Sequence, residues 1–149
     1  MSVPYDTFVE AFLEKITEYE LNFLPVYDRN HTVNGYMKRA ISGFKHVCAY
    51  DLVSTRQDVI REFNLDIPEK DIDDIVDIVS EGMIVQWLKP YVYKQELLEN
   101  TINTRDFTTY SPAELLMRVG NAYEKAQKDY TQMIREYSFN QGDLSDLHL

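Results

Sequence analysis

The sequence predicts an all-α domain, a bundle of four to five helices with a long last helix and an extended C-terminal arm. Three observations point there. Gly and Pro number five each in 149 residues, where average usage would give about eighteen together, too few for a turn-rich β architecture. Apolar residues recur at helical spacing through several long segments. Helix-start chemistry stands immediately before two of those segments, as Asp66-Ile67-Pro68-Glu69 and Ser111-Pro112-Ala113-Glu114. The length is that of one ordinary domain, expected over residues 1–138, with the arm at 139–149.

The first helix is expected over about 5–21. Thr7 and Glu10 have capping-box spacing, and Phe8, Phe12, Leu13, Ile16 and Tyr19 follow at helical spacing. Pro25 ends it, and Asp28 to His31 with Asn34-Gly35 reads as a loop. A second helix is expected over about 36–50, where Met37, Ala40, Ile41, Phe44, Val47 and Cys48 form one apolar stripe. The stretch 51–64 is ambiguous, with 58–63 readable as a short helix.

The third helix begins near Asp66 and carries Ile72, Ile75, Val76, Val79 and Met83 towards Trp87 and Leu88. Gly82 inside it costs about 1 kcal/mol against alanine, which implies close packing there. Pro90 should stop or kink the helix, leaving a shorter one near 91–102. The last helix starts at the Ser-Pro-Ala-Glu cap and persists to about Tyr137, a rod of roughly 39 Å at 1.5 Å per residue. Leu116, Val119, Tyr123, Ala126, Tyr130, Met133 and Tyr137 alternate steps of three and four along it. Beyond Gly142, three leucines alternate with polar residues in a tail with no room to bury itself alone.

Composition narrows the function classes. A single cysteine leaves no internal disulfide and no CxxC zinc pattern, and Cys48 reads as a small buried thiol. No apolar run approaches the ~20 residues of a membrane span, and the N-terminus has no signal-peptide pattern. A soluble, intracellular or capsid-enclosed domain is therefore expected, with no membrane partner. The formal charge is −10, unsuited to duplex binding through lysine and arginine. That charge is uneven, because residues 62–81 hold eight acids and one lysine while residues 29–61 hold six bases and two acids. Opposite faces of this kind suit contact between copies, with Lys38, Arg39 and Lys45 meeting Asp71, Asp74 and Asp77. They equally suit solvated helix surfaces.

Catalytic patterns are sparse. Asp71, Asp74, Asp77 and Glu81 lie along one helical face, which gives the enzyme alternative of a Mg²⁺-dependent all-α nucleotide pyrophosphohydrolase. Such enzymes gather acids from two helices, and Glu10, Glu14 and Glu18 of the first helix lie away from its apolar side. His31, His46 and His148 stand beside no nucleophile motif, and no phosphate-binding glycine loop is present. No cofactor and no catalysis are expected. A generic helical interaction module is the remaining alternative.

The order of segments carries a resemblance. Ala40-Ile41-x-x-Phe44 precedes Phe63-Asn64-Leu65-Asp66 and a helix ending Met83-x-x-x-Trp87-Leu88. Then come Asp106-Phe107, Tyr110-Ser111-Pro112-Ala113, and Arg135-Glu136-Tyr137-Ser138-Phe139 with Gly142-Asp143-Leu144. Over about residues 36–149 this resembles the small helical head-to-tail adaptor (connector, or neck) proteins of tailed double-stranded DNA phages. The resemblance implies a homo-oligomeric ring, commonly dodecameric, made in the host cytoplasm and placed in the virion at the head–tail junction. It implies a portal protein on one side, a neck or tail-completion protein on the other, and DNA passing through the lumen without sequence-specific binding. Carried onto this chain, Phe139, Leu144, Leu147 and Leu149 would dock on the portal. Tyr130, Met133 and Tyr137 would meet the portal or the neighbouring subunit.

Overall fold

The computed structural model describes residues 2–19, 21, 24, 31–93 and 112–141. Among them are four helices, α1 (Tyr5–Glu18), α2 (Thr32–Phe44), α3 (Glu69–Tyr93) and α4 (Pro112–Gln141), and three two-residue strands. The strands, β1 (Val3–Pro4), β2 (Arg56–Gln57) and β3 (Glu62–Phe63), form one small antiparallel sheet in the order β1-β3-β2. The fold is an all-α bundle with a sheet fastened to one edge.

The helix centres follow the apolar spacing, and their ends follow local chemistry. α1 begins two residues before the expected capping box, because Pro4 is held extended (φ −67°, ψ 144°) as β1 pairs with β3 and makes no side-chain cap. Thr7 and Glu10 therefore lie inside the helix. α2 starts at Thr32, so Asn34-Gly35, expected as a loop, forms part of its first two turns. Met37, Ala40, Ile41 and Phe44 are buried as the stripe requires, while Val47 and Cys48 fall past the helix end and are half-buried.

α3 is the centre of the bundle. It packs against α1, α2 and α4, and every residue from Ile78 to Val85 is buried, Ser80 and Glu81 included. Pro90 neither stops it nor ends the packing, since the helix continues to Tyr93 with Tyr91 buried. Residues 94–102 of the expected short helix lie outside the described residues. One core joins all four helices, with Phe8, Phe12, Phe44, Trp87 and Phe63 among its largest fully buried side chains. Phe12 meets Trp87 edge-on at 5.8 Å and Phe8 meets Phe63 at 5.4 Å.

α4 runs from Pro112 to Gln141, about 45 Å at 1.5 Å per residue. Phe139, expected to open the arm, is thus helical, and residues 142–149 lie outside the described residues. Its inward face uses Leu115, Val119, Tyr123, Ala126 and Tyr137. Leu115 takes the buried place expected for Leu116, which is half-buried. Tyr130 is a wedge between α2 and α3. Its hydroxyl donates to the Ala40 carbonyl at 2.6 Å, and its ring lies where two glycines leave space. A Cβ on Gly82 would stand 2.6 Å from Tyr130 Cε1 and 2.8 Å from Ala40 Cβ, and one on Gly43 2.5 Å from the Tyr130 hydroxyl. The close packing expected at Gly82 is thus present, with Tyr130 and Ala40 as its neighbours.

The stretch 51–64 is a hairpin, not a helix. Asp51 Oδ1 accepts from the backbone amides of Val53 and Ser54, which turns the chain into β2. The strands then pair Arg56 with Phe63 and Gln57 with Glu62 around a four-residue loop. Arg61 closes that loop in the left-handed region, at φ 56°. The spacing of Val59, Ile60 and Phe63 fits a helix as well as a hairpin, but the left-handed residue excludes the helix.

The two helix glycines make opposite predictions. Gly82→Ala should lower the unfolding free energy by about 1–3 kcal/mol, the usual cost of overpacking. Gly120, with nothing within 4 Å of its added Cβ, should become more stable by up to about 1 kcal/mol as alanine. Urea unfolding of the two variants checks both, and equal effects would show that Tyr130 is not wedged.

Candidate functional site

The residues expected to meet other chains divide into those this chain uses itself and those it leaves outside. Tyr130 and Tyr137 belong to the first group. The Tyr137 ring packs edge-on against Phe44 at 4.9 Å, and its hydroxyl accepts the Ala49 amide at 3.0 Å. It is buried, as is Tyr123, whose ring meets Tyr93. Met133 is half-buried against the same core. Tyr130, Met133 and Tyr137, expected at a partner contact, thus pack along an internal seam with α2 and α3, Tyr137 buried and the other two half-buried. Burial pushes the Tyr130 hydroxyl up to about 12, because partial removal from water disfavours the phenolate. Phe139, one half-turn further on, is 67% exposed. Leu144, Leu147 and Leu149 lie outside the described residues.

The acidic face of α3 is also largely engaged within the chain. Lys15 of α1 reaches Asp77 Oδ1 at 2.6 Å and Glu81 Oε2 at 2.8 Å, while the Tyr19 hydroxyl donates to Glu81 Oε1. Glu81 is thereby satisfied in the core by an amine and a phenol. Burial alone would lower the Lys15 ammonium, but its bonds to Asp77 and Glu81 overcome this and hold it above its ordinary value. Tyr19 is pushed well up, first by burial and then by Glu81. The Tyr50 hydroxyl donates to Asp71 Oδ2. Asp71, Asp74, Asp77 and Glu81, the set of the Mg²⁺-hydrolase alternative, form no group of three that could hold a metal ion. No group of three His, Cys, Asp or Glu among the described residues could hold a metal ion. Nor is any helix among them long and apolar enough to cross a membrane.

Of the basic residues expected at a subunit contact, Lys38 is paired internally, 3.0 Å from Asp58 Oδ2, while Arg39 and Lys45 are exposed. Lys38 and Arg39 share with His31, Asn34, Gly35 and Asp58 the walls of an open cleft of about 530 Å³ between α2 and the hairpin. The hairpin is pinned beside this cleft by a polar cluster that sequence reading missed. Asp58 accepts from the Tyr5 hydroxyl at 2.7 Å, and that bond, with Lys38, holds its carboxyl below the usual range. Arg61 donates to Asp6 at 2.9 Å and to Asn34 at 3.2 Å, and its carbonyl accepts the Tyr5 amide at 2.9 Å. Left-handed backbone at a non-glycine residue costs roughly 1–2 kcal/mol, and these three bonds hold it there. The effect is to display Val59, 97% exposed, and Ile60, 58% exposed, at the tip of a fixed loop.

A second, smaller groove lies between α3 and α4. It is a mainly polar recess of about 120 Å³ lined by Asp74, Asp77, Glu136 and Asn140 together with Ile78, Met133 and Tyr137. Neither recess is enclosed, and small-molecule sites usually bury most of their ligand.

Two predictions follow from the buried cluster and the buried phenol. Lys15→Met should cost about 3–5 kcal/mol by leaving Glu81 buried without its cation, and adding Glu81→Leu should restore most of it. A double-mutant cycle by urea unfolding measures the coupling. Raised values on Lys15 and Tyr130 stabilise the fold fully below the unfolded values of 10.5 and 10.0, and that contribution is lost as pH rises through the folded ones. The thermal midpoint should fall from about pH 10 upward. Tyr130→Phe should start lower, having lost the bond to Ala40, and decline less steeply. Compared with known proteins, the chain matches no family model, no curated protein and no solved structure.

Proposed function

We propose that this chain is a structural virion protein, a head–tail adaptor whose copies form a ring between the portal and a neck or tail-completion protein. The observation that carries the reading is Phe139. Tyr137 is the last residue of α4 to pack into its own core, yet the helix continues and presents a large aromatic ring at 67% exposure. An exposed ring of this size at the end of a rod is the residue type that anchors protein interfaces. The order of segments that resembles the phage adaptors ends at this same point, with Phe139 followed by Gly142, Asp143 and the leucines. In this reading Phe139, Leu144, Leu147 and Leu149 dock on the portal. The net charge of −10 suits a channel in which DNA slides without adhering.

The test is assembly. The full chain, alone or with the portal protein of the same phage, should give ring particles by negative-stain electron microscopy, about twelve copies each. Phe139→Asp should leave the helical circular dichroism unchanged and weaken portal binding roughly tenfold or more. Particles absent under both conditions would overturn the reading.

A further inference from the structure

We propose that the hairpin tip is a second docking element, set towards the opposite end of α2 from Phe139, with Val59 and Ile60 entering an aliphatic-lined hole on a protein other than this chain. The inference rests on the adaptor reading and assigns the surface that meets the neck or tail-completion protein.

The tip is apolar, fixed and unused by its own fold. Val59 and Ile60 are adjacent branched aliphatics at 97% and 58% exposure. One exposed apolar side chain is ordinary, whereas two held out together on a fixed loop offer a contact. The loop is held on both sides of the pair. Asp58, before it, accepts from the Tyr5 hydroxyl at 2.7 Å and from Lys38 at 3.0 Å. Arg61, after it, donates to Asp6 and Asn34, and its carbonyl accepts the Tyr5 amide. These charges are engaged within the chain, so the contact rests on apolar burial alone. A loop ordered before binding loses little entropy when it binds.

Position separates the tip from Phe139. Asn34, which holds Arg61, is in the first turn of α2, and Lys38, which holds Asp58, is at its middle. Tyr137 instead packs on Phe44, the last residue of α2, and accepts from Ala49 beyond it. Phe139 follows Tyr137 along α4. Asn34 and Phe44 are about 15 Å apart along α2 at 1.5 Å per residue. An adaptor held between two neighbours needs two such separated surfaces.

The occupant is a different protein on two grounds. The recesses described above give the tip no apolar seat on a second copy. The cleft beside the hairpin is walled largely by polar side chains, His31, Asn34, Arg39 and Asp58 among them, and the α3–α4 recess is mainly polar too. The second ground is area. A stable pair of proteins buries about 800 Å² on each partner, far beyond what two aliphatic side chains supply. Such a knob holds when it is repeated, as a ring presents it to a partner that several copies engage at once.

The test uses the full chain with the portal protein and the neck or tail-completion protein of the same phage. Val59→Asp with Ile60→Asp should leave the circular dichroism, the ring particles and portal binding as in the parent, since both residues are exposed. Binding of the neck or tail-completion protein, followed by sedimentation velocity, should weaken roughly tenfold or more. Serine at both positions should act in the same direction, whereas Val59→Ile with Ile60→Val keeps the apolar pair and should bind as the parent does. Unchanged binding by the aspartate and serine variants overturns the proposal, while rings and portal complexes would still support the adaptor reading. Loss of the rings or of portal binding in those variants also overturns it, because the tip would then serve a neighbouring copy or the portal. Parent rings that do not bind the neck or tail-completion protein overturn it as well. A parent chain that forms no ring, alone or with the portal, overturns both.

Discussion

Between Ile78 and Val85 the third helix has no face left for water, and the rest of the molecule is arranged to satisfy that condition. A helix buried on every side needs neighbours on every side. α1, α2 and α4 supply them, each packing on α3 more than α1 and α2 pack on each other. Two positions inside this span set the terms. Gly82 lets Ala40 and the Tyr130 ring come within the distance that any Cβ would occupy. Glu81 places a carboxylate in the core, and the position of α1 is set by the need to bring Lys15 and Tyr19 to it. A buried acid of this kind adds little net stability compared with an apolar residue, but removing its cation would leave an uncompensated charge in the core.

Much of this was legible from spacing. The stripe of α2, the run from Ile72 to Leu88 and the Ser-Pro start of α4 each state their helix, because periodic burial and capping are local properties of the chain. Gly82 was legible too, since a glycine kept in a strong helix implies a close neighbour. Other features depended on partners distant in sequence. Asn34-Gly35 reads as a turn, yet Asn34 accepts from Arg61, and this contact with the hairpin accompanies an early start of α2. Residues 58–63 satisfy a helical period by coincidence. What decides against it is Tyr5, 53 residues away, whose hydroxyl holds Asp58 while its amide takes the Arg61 carbonyl.

The site was legible only in its ingredients. The charge asymmetry and the tyrosine heptads were visible, but a sequence does not say which charges cancel internally or which rings face inward. Lys38, Asp71 and Asp77 find partners within the chain, and Tyr130 and Tyr137 bond to backbone groups of the α2 region. Arg39, Asp74 and Phe139 remain outside, joined by Val59 and Ile60, which no periodic pattern singles out.

The dependence of α3 on α4 also bears on how the protein is made. Synthesis proceeds from the N-terminus, so the segment that covers Gly82 and the rest of that flank of α3 leaves the ribosome after α1, α2 and α3. Until residues 119–137 have emerged, a strongly apolar helix flank has only α1 and α2 to lean on, with its third neighbour missing. Exposed flanks of that kind aggregate or recruit chaperones. The interior is therefore complete only once α4 has followed α3 out of the ribosome.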